Sequence, residues 1–367
     1  MTIPSVVFIC SRLDLPGGTE KAIVNTANLF SEKGHSVFIL ILDETATLFF
    51  SITPSVQIIQ APLHFGITTK GNVVTRKIAL YDHVKQLRKL LATINADIII
   101  STEYHFSIAA YLAAKNTNAK IFSWEHHHYY ELKKNKFWNF LFQRYYQKLD
   151  AVICLNEQEA ELFEQINAKP VVIPNFVEQK NIRAEGKKML LTVARLSYIK
   201  GIDLLLEVIQ AIAILHPDWQ WKLIGDGELF TDVFNYIKQH RLEEFFIVQK
   251  PFSQNIEQEY LQADVYVMTS RNECFPMVLL EAMSYGIPCI AFDCDTGPRH
   301  IITSNKDGIL VEEGEVAEMI EAIRFYILNE ETKKRMGDEA FKKAGSFSPE
   351  KIYQMWQQLF QNKIETT

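Results

Sequence analysis

The chain has 367 residues and a mass of 42.4 kDa, enough for two domains at roughly 150 residues each. Apolar residues make up 48% and charged residues 22%, which excludes bulk disorder and fibrous repeats. The 38 basic and 44 acidic side chains leave a net charge of −6 and a pI near 6.0, a balance that disfavours nucleic acid as a partner.

In chain order, short apolar runs alternate with helical patterns. Val6–Cys10 reads as a strand, followed by a turn at Pro16-Gly17-Gly18 and a helix to about Lys33. Val37–Leu42 and Val56–Gln60 are further strands. Leu80, Val84, Leu87, Leu91 and Ile94 recur at helical spacing. Asp97–Ser101, Lys120–Trp124, Ala151–Leu155 and Val171–Ile173 are strands with helical stretches between them. Residues 176–188 are polar and uneven and read as a linker. A second series then begins, with strands at Met189–Ala194, Gln220–Ile224, Phe246–Gln249, Val265–Thr269, Pro288–Phe292 and Gly308–Val311. A helix at Ile202–Leu215 follows the first of these, and three helical stretches close the chain, the last at about Pro349–Gln361. Such alternation predicts parallel sheets covered on both faces. The expected fold is therefore two doubly wound α/β domains, 1–175 and 176–348, facing a shared cleft, with the helix 349–367 packing back on the first. Open parallel sheets bind ligands at the carboxyl ends of their strands. The 17 basic and 15 acidic side chains of 1–175 give +2, against 21 and 29, or −8, in 176–367.

The five cysteines Cys10, Cys154, Cys274, Cys289 and Cys294 are odd in number, scattered and without a C-x-x-C pair. That argues against a disulfide framework or structural zinc and suits a reducing compartment. No apolar run approaches the roughly 18 residues that span a bilayer. The opening Met1-Thr2-Ile3-Pro4-Ser5 lacks the basic region of a signal peptide, so a cytoplasmic protein is expected.

The densest chemical signal is Arg271-Asn272-Glu273-Cys274-Phe275-Pro276-Met277-Val278-Leu279-Leu280-Glu281, directly after a strand. Pro276 suits the first position of a helix, whose amides at Met277 and Val278 would face an anion with the helix dipole assisting. Glu273 before the helix and Glu281 inside it can take different hydroxyls of one ligand. Two solvated helix carboxylates are the plainer reading of such a pair. A second signal is Arg195-Leu196-Ser197-Tyr198-Ile199-Lys200-Gly201, in which a strand delivers two cations suited to a diphosphate, one a fork and one a point charge. A third is Pro16-Gly17-Gly18-Thr19, where two glycines allow close backbone approach at the start of a helix. It is neither a dinucleotide fingerprint nor a P-loop.

Together, in this order, these motifs resemble the retaining nucleotide-sugar glycosyltransferases of the GT-B fold, family 4. The hallmark Glu-x7-Glu is Glu273 and Glu281, the Arg-x4-Lys pair is Arg195 and Lys200, and the N-terminal Gly-Gly is Gly17 and Gly18. Gly225-Asp226-Gly227 and the run Glu281–Pro288 also match. Cys274 departs from the pattern, since many members carry glycine there. The resemblance implies a hexose or N-acetylhexosamine moved from a nucleoside-diphosphate sugar, uridine being the commonest base, with no metal or other cofactor. It implies that Glu281 binds the ribose, that Arg195 and Lys200 neutralise the diphosphate, and that Glu273 with Phe275, Pro276, Met277 and Val278 holds the donor sugar. Gly17 and Gly18 would close over the diphosphate, and the base would lie near Lys250 and Pro251.

Members of this family carry a histidine in the loop that here reads Glu125-His126-His127-His128. His126 is the expected active-site residue, with His127 and His105 as competitors. Adjacent histidines rarely converge on one ion, so no metal is expected. Residues 132–148 hold five basic, no acidic and six aromatic side chains, and Arg76, Lys77, Lys85, Arg88 and Lys89 add to them. This suits docking on an anionic leaflet and a lipid-linked saccharide acceptor. Alternatively, the aromatics fill the core and the lysines are ordinary surface. Two further readings are a sugar-nucleotide epimerase of the same fold and a non-catalytic sugar-nucleotide-binding subunit, the latter expected to carry a broken Glu/Glu or Arg/Lys set. No phosphate or pyridoxal motif of a phosphorylase is present.

Overall fold

The computed structural model describes residues 3–43, 47–65, 73–132, 134–250 and 256–361, with 73–79 described in backbone only. The chain divides into two compact units, Met1–Pro174 with Tyr353–Thr367, and Asn175–Ile352.

The first unit holds β1 (Val6–Cys10), α1 (Gly18–Glu32), β2 (Val37–Ile41), β3 (Gln57–Gln60), α2 (Val73–Ile94), β4 (Ile98–Ser101), α3 (Tyr104–Ala114), β5 (Lys120–Trp124), α4 (Lys136–Tyr145), β6 (Ala151–Cys154), α5 (Glu157–Glu164) and β7 (Pro170–Val172). The strands pair in the order β3-β2-β1-β4-β5-β6-β7, every pair parallel. β1, β4 and β6 are continuous apolar or small runs buried at every position, as a sheet covered on both faces requires. The edge strand β3 reads Gln-Ile-Ile-Gln and is largely exposed, the polar ends blunting an otherwise open edge. α2 starts at Val73, ahead of the periodic face that marks it in the sequence.

The second unit holds β8 (Met189–Val193), α6 (Ile202–Leu215), β9 (Gln220–Ile224), α7 (Phe230–His240), β10 (Phe246–Gln249), α8 (Ile256–Gln262), β11 (Val265–Met268), β12 (Asn272–Glu273), α9 (Met277–Ser284), β13 (Cys289–Phe292), β14 (Asp295–Thr296), β15 (Gly308–Val311), α10 (Val316–Leu328) and α11 (Glu330–Ala344). Its main sheet runs β10-β9-β8-β11-β13-β15, again all parallel. β12 and β14 form a separate two-residue pair, Asn272 with Asp295 and Glu273 with Thr296. That pair is too short to leave a periodic trace in the sequence.

The last helix, α12 (Pro349–Phe360), belongs to the first unit from Tyr353 onward. Tyr353, Trp356 and Phe360 share one face by helical spacing. Trp356 is 1% exposed, and burial of a side chain of this size is worth about 3 kcal/mol. Lys120 Nζ donates to the Phe360 carbonyl at 2.7 Å, a cation on one of the last carbonyls of the helix.

Candidate active site

In the second unit the strand order reverses between β8 and β11. The loops leaving those two strands carry Arg195 and Lys200 on one side and Ser270, Arg271 and Glu273 on the other. The loops are pinned together. Arg271 grips Asp203 with two guanidinium nitrogens at 2.6 and 2.7 Å and lies 3.9 Å over the Tyr198 ring, and its amide donates to the Ile199 carbonyl. That ion pair holds Asp203 below the usual carboxylate range. Gly201 adopts φ +64°, and a Cβ there would lie 1.9 Å from the Thr269 carbonyl oxygen. Only glycine lets the start of α6 approach the β11 loop this closely.

This clamp sets Lys200 against Glu273. Lys200 Nζ lies 2.7 Å from Glu273 Oε1, which also accepts the Ser270 hydroxyl at 2.8 Å. From the other side Thr296 Oγ1 donates to the Glu273 carbonyl at 2.8 Å, and the β12–β14 pairing fixes the backbone. Arg195 is exposed, with Nη2 3.4 Å from Glu228. The two cations thus differ: Lys200 is partly buried and already neutralised, whereas Arg195 reaches into solvent.

Pro276 is the residue before α9, not its first residue. Its ψ of 98° is extended, and its carbonyl accepts from the Leu279 amide. Met277 and Val278 therefore supply the first two amides of the helix, whose positive dipole end faces the loop. Cys274, Phe275, Pro276 and Met277 are buried and Val278 half-buried. Phe275 packs edge-on against Phe347 at 5.8 Å. One turn into α9, Glu281 Oε2 accepts the Tyr260 hydroxyl at 3.0 Å. Burial, with the Glu281 carboxylate adding, pushes the Tyr260 phenol well up, so it stays a donor. Tyr260 stacks on Tyr285 at 5.4 Å, which donates in turn to Glu257.

Around Gly225-Asp226-Gly227, a Cβ on Gly225 would lie 1.9 Å from the Ala194 carbonyl oxygen, so this loop packs directly on the β8 end. Asp226 pairs with Lys250 at 3.1 Å, which holds Asp226 below its ordinary value. Lys250 Nζ also sits 4.8 Å over the Phe230 ring. Pro251 lies outside the described residues.

In the first unit Gly17 is the extended cap before α1 and Gly18 its first residue, with no side-chain cap. The Glu20 carboxylate curls back, so that a Cβ on Gly17 would meet its Oε2 at 2.0 Å. Burial pushes the Glu20 carboxyl up.

The end of β5 is more apolar. Glu125 is buried, and its Oε1 accepts both Ser123 and Tyr146 hydroxyls at 2.5 Å. Burial pushes its carboxyl up. His126 is buried with its ring 4.4 Å from that of Trp124. Its Nε2 has no hydrogen-bond partner among the described residues. Burial, with a lesser push from His127, drives its pKa down to about 3, so the imidazole is neutral at physiological pH. His127 is exposed. His128 is buried against Glu159, its Nδ1 bonded to the carboxylate. His105 lies 3.2 Å from Glu103, and burial lowers it to about 4. Among the described residues no group of His, Cys, Asp and Glu side chains converges as a metal site.

The basic, aromatic run of 132–148 divides by face. Trp138, Phe142 and Tyr146 are core, whereas Phe137 and Phe140 are exposed beside exposed Lys136, Arg144 and Lys148. Lys134 Nζ sits 4.2 Å over the Phe142 ring. Lys133 and the side chains of Arg76 and Lys77 lie outside the described residues. Arg88 donates to the Leu112 and Ala113 carbonyls, capping α3, while Lys85 and Lys89 are exposed.

Ser270, Thr296, Tyr260 and Asp203 are the contributors that sequence reasoning does not find. Only Ser270 has a local signal, three residues from Glu273. The others approach from separate strands and helices.

Comparison with known proteins gives the class. The family model described as Glycosyl transferases group 1 matches residues 175–343, and that for Glycosyltransferase Family 4 matches residues 16–180. The chain belongs to this glycosyltransferase family. An uncharacterised glycosyltransferase of Haemophilus influenzae is 27% identical over 366 residues, 95% of this chain and 98% of the relative. The lipopolysaccharide 1,6-galactosyltransferase of Escherichia coli is 26% identical over 263 residues, 68% of this chain and 70% of the relative. Among solved structures, a mutant of S. aureus TarM in complex with fondaparinux, α-GlcNAc-glycerol and UDP matches with a TM-score of 0.80 at 16% identity. The match covers 97% of this chain and 99% of that one. Two doubly wound domains of the GT-B type are thus the fold of this protein.

Proposed function

We propose that this glycosyltransferase moves a hexose or N-acetylhexosamine from a uridine-diphosphate sugar to a saccharide acceptor, with retention at the anomeric carbon, in bacterial surface polysaccharide synthesis. The observation that carries the reading is the cluster of Lys200, Ser270 and Glu273 beside the first amides of α9, one turn before Glu281. Lys200 and those amides offer the diphosphate cationic and dipolar partners without a metal. Arg195 adds a flexible fork. Glu273 and Glu281 can accept from sugar and ribose hydroxyls respectively. Lys250, with Pro251 beyond it, would flank the base.

In the proposed step the bond from the anomeric carbon to the phosphate oxygen breaks and an acceptor oxygen bonds to the same face. The acceptor proton passes to the departing phosphate. The protein acts by positioning and by stabilising charge. His126, being neutral, would donate to a sugar hydroxyl rather than supply a full charge. A glycosyl adduct trapped on Glu273 would overturn this route, and an inverted product anomer would overturn retention.

The test is a thermal-shift series of nucleoside diphosphates and sugar nucleotides on wild type and Glu281→Ala. A ligand of the folded state alone stabilises it by RT ln(1 + [L]/Kd), about 2.7 kcal/mol at one hundred times Kd. The expected result is stabilisation by one diphosphate, lost in the variant. No shift with any of them rejects the donor site. Binding without turnover on any acceptor would favour a non-catalytic subunit.

For the acceptor side we propose a lipid-linked saccharide reached at an anionic membrane surface. Exposed Phe137 and Phe140 flanked by cations on α4 support this, and among the described residues no helix is long and apolar enough to cross a membrane. Sedimentation with anionic vesicles should be lost in Phe140→Glu. Equal binding to neutral vesicles would count against it.

A further inference from the structure

Three buried histidines of the first unit are oriented by different means. His35 is bonded at both nitrogens, Nδ1 2.7 Å from the Pro4 carbonyl and Nε2 2.8 Å from the Tyr353 hydroxyl. His128 is fixed by the Glu159 carboxylate, itself held by the Tyr129 amide at 2.9 Å. His126 has a buried Nε2 with no partner among the described residues, and so does the indole Nε1 of Trp124 beside it. Ring packing is what these two share. The His126 and Trp124 rings meet at 4.4 Å, inclined by 53°.

Trp124 is also packed by α12. Trp356 stands edge-on to Trp124 at 5.4 Å and 86°. It is backed by Phe30 at 5.6 Å and Phe360 at 5.9 Å. The helix is fastened at both ends of this face, by His35 to Tyr353 and by Lys120 to the Phe360 carbonyl. A close-packed ring without hydrogen bonds keeps its orientation only while its neighbours fill the space around it.

We propose that Trp356 is a positioning residue for His126, acting through Trp124. This rests on the reading of His126 as an active-site group. Trp356 would hold the imidazole at one orientation in water-poor surroundings. Trp124 carries no charge, and the titratable neighbour that acts on His126 is His127.

The test uses the full chain with Trp356→Ala, Trp356→Phe and Trp356→Leu. Steady-state kinetics are measured well below each unfolding midpoint, and histidine ring NMR titrations are assigned through His126→Gln. A misplaced group typically lowers turnover more than ground-state binding, so Trp356→Ala should reduce kcat about tenfold or more with donor KM changed less than about twofold. The His126 titration should move up toward the ordinary value of about 6.5. Trp356→Phe should restore most of both. If the variants only melt earlier, with kcat and the His126 titration as in wild type, Trp356 is a core residue and the proposal fails. If Trp356→Ala does not fold, Trp356→Leu is held to the same two criteria. An unchanged kcat in His126→Gln would instead remove His126 from the reaction, and the titration would still decide whether Trp356 sets its surroundings.

Discussion

The two units follow the same strand order through their first six strands, yet they prepare the strand ends that carry their candidate residues in opposite ways. In the second unit the loops after β8 and β11 are crowded with charge, and each charge is placed by another: Arg271 by Asp203, Lys200 by Glu273, Glu273 by Ser270. In the first unit the end of β5 carries an imidazole that burial keeps neutral and that ring packing orients. One scaffold therefore supports two ways of preparing a site. A charged network suits an anionic ligand whose arrival exchanges one ion pair for another. A desolvated, neutral group suits an uncharged, hydroxyl-bearing ligand.

The comparison is attacked hardest at Lys200. Lys200→Ala should lower kcat/KM by about 10²–10³, the range for removing one stabilising donor from a developing anion. A loss below tenfold would mean that Lys200 serves only its Glu273 pair. His126→Ala should lower kcat by about 10²-fold while leaving nucleotide binding in the thermal-shift series intact. A loss of nucleotide binding instead would collapse the division of labour between the units.

Stability against pH sharpens the contrast. His126 and His105 take protons in the unfolded chain below about 6.5 but resist them when folded. The folded state therefore keeps its full stability from these groups above that value and loses it as pH falls toward about 3 and about 4 respectively. In urea titrations wild type should lose stability relative to His126→Gln at up to about 1.4 kcal/mol per pH unit between 6.5 and 4. Buried Glu125, raised by desolvation, acts in the opposite sense, with stability present below its unfolded value and lost as pH rises through the folded one. It is common to both proteins and cancels in the difference. Equal pH profiles would show His126 to be solvated.

Smaller effects follow at the edges of the donor site. Tyr260→Phe removes one hydrogen bond to Glu281, worth about 1 kcal/mol, so donor KM should rise roughly fivefold with kcat little changed. Glu228→Gln breaks an exposed pair at 3.4 Å and should alter stability by less than about 0.5 kcal/mol. A larger change would place Arg195 in a fixed structural role.

Much of the fold is legible in the chain because parallel strands buried on both faces leave continuous apolar runs. Lys120–Trp124, Gln220–Ile224, Phe246–Gln249 and Gly308–Val311 are read from sequence with the bounds the structure gives them. The β12–β14 pair is not legible, since two residues carry no period. At the site, Glu273, Glu281, Arg195 and Lys200 stand out because their spacing is tied to a strand, a loop and a helix start. Tyr260 and Thr296 do not, because their partners lie on other elements.

The sequence by itself determined the parallel α/β architecture, the family and the identity of the charged side chains after β8 and β11. Those follow from local pattern: period, turn chemistry and fixed spacing. Only the tertiary structure decided that Lys200 is held by Glu273, that Pro276 stands before α9, that half the aromatics of 132–148 are core, and that Trp356 on the last helix lies against Trp124. The last of these contacts joins residues 232 positions apart, and no local periodicity records which distant surfaces meet when the chain buries its apolar area.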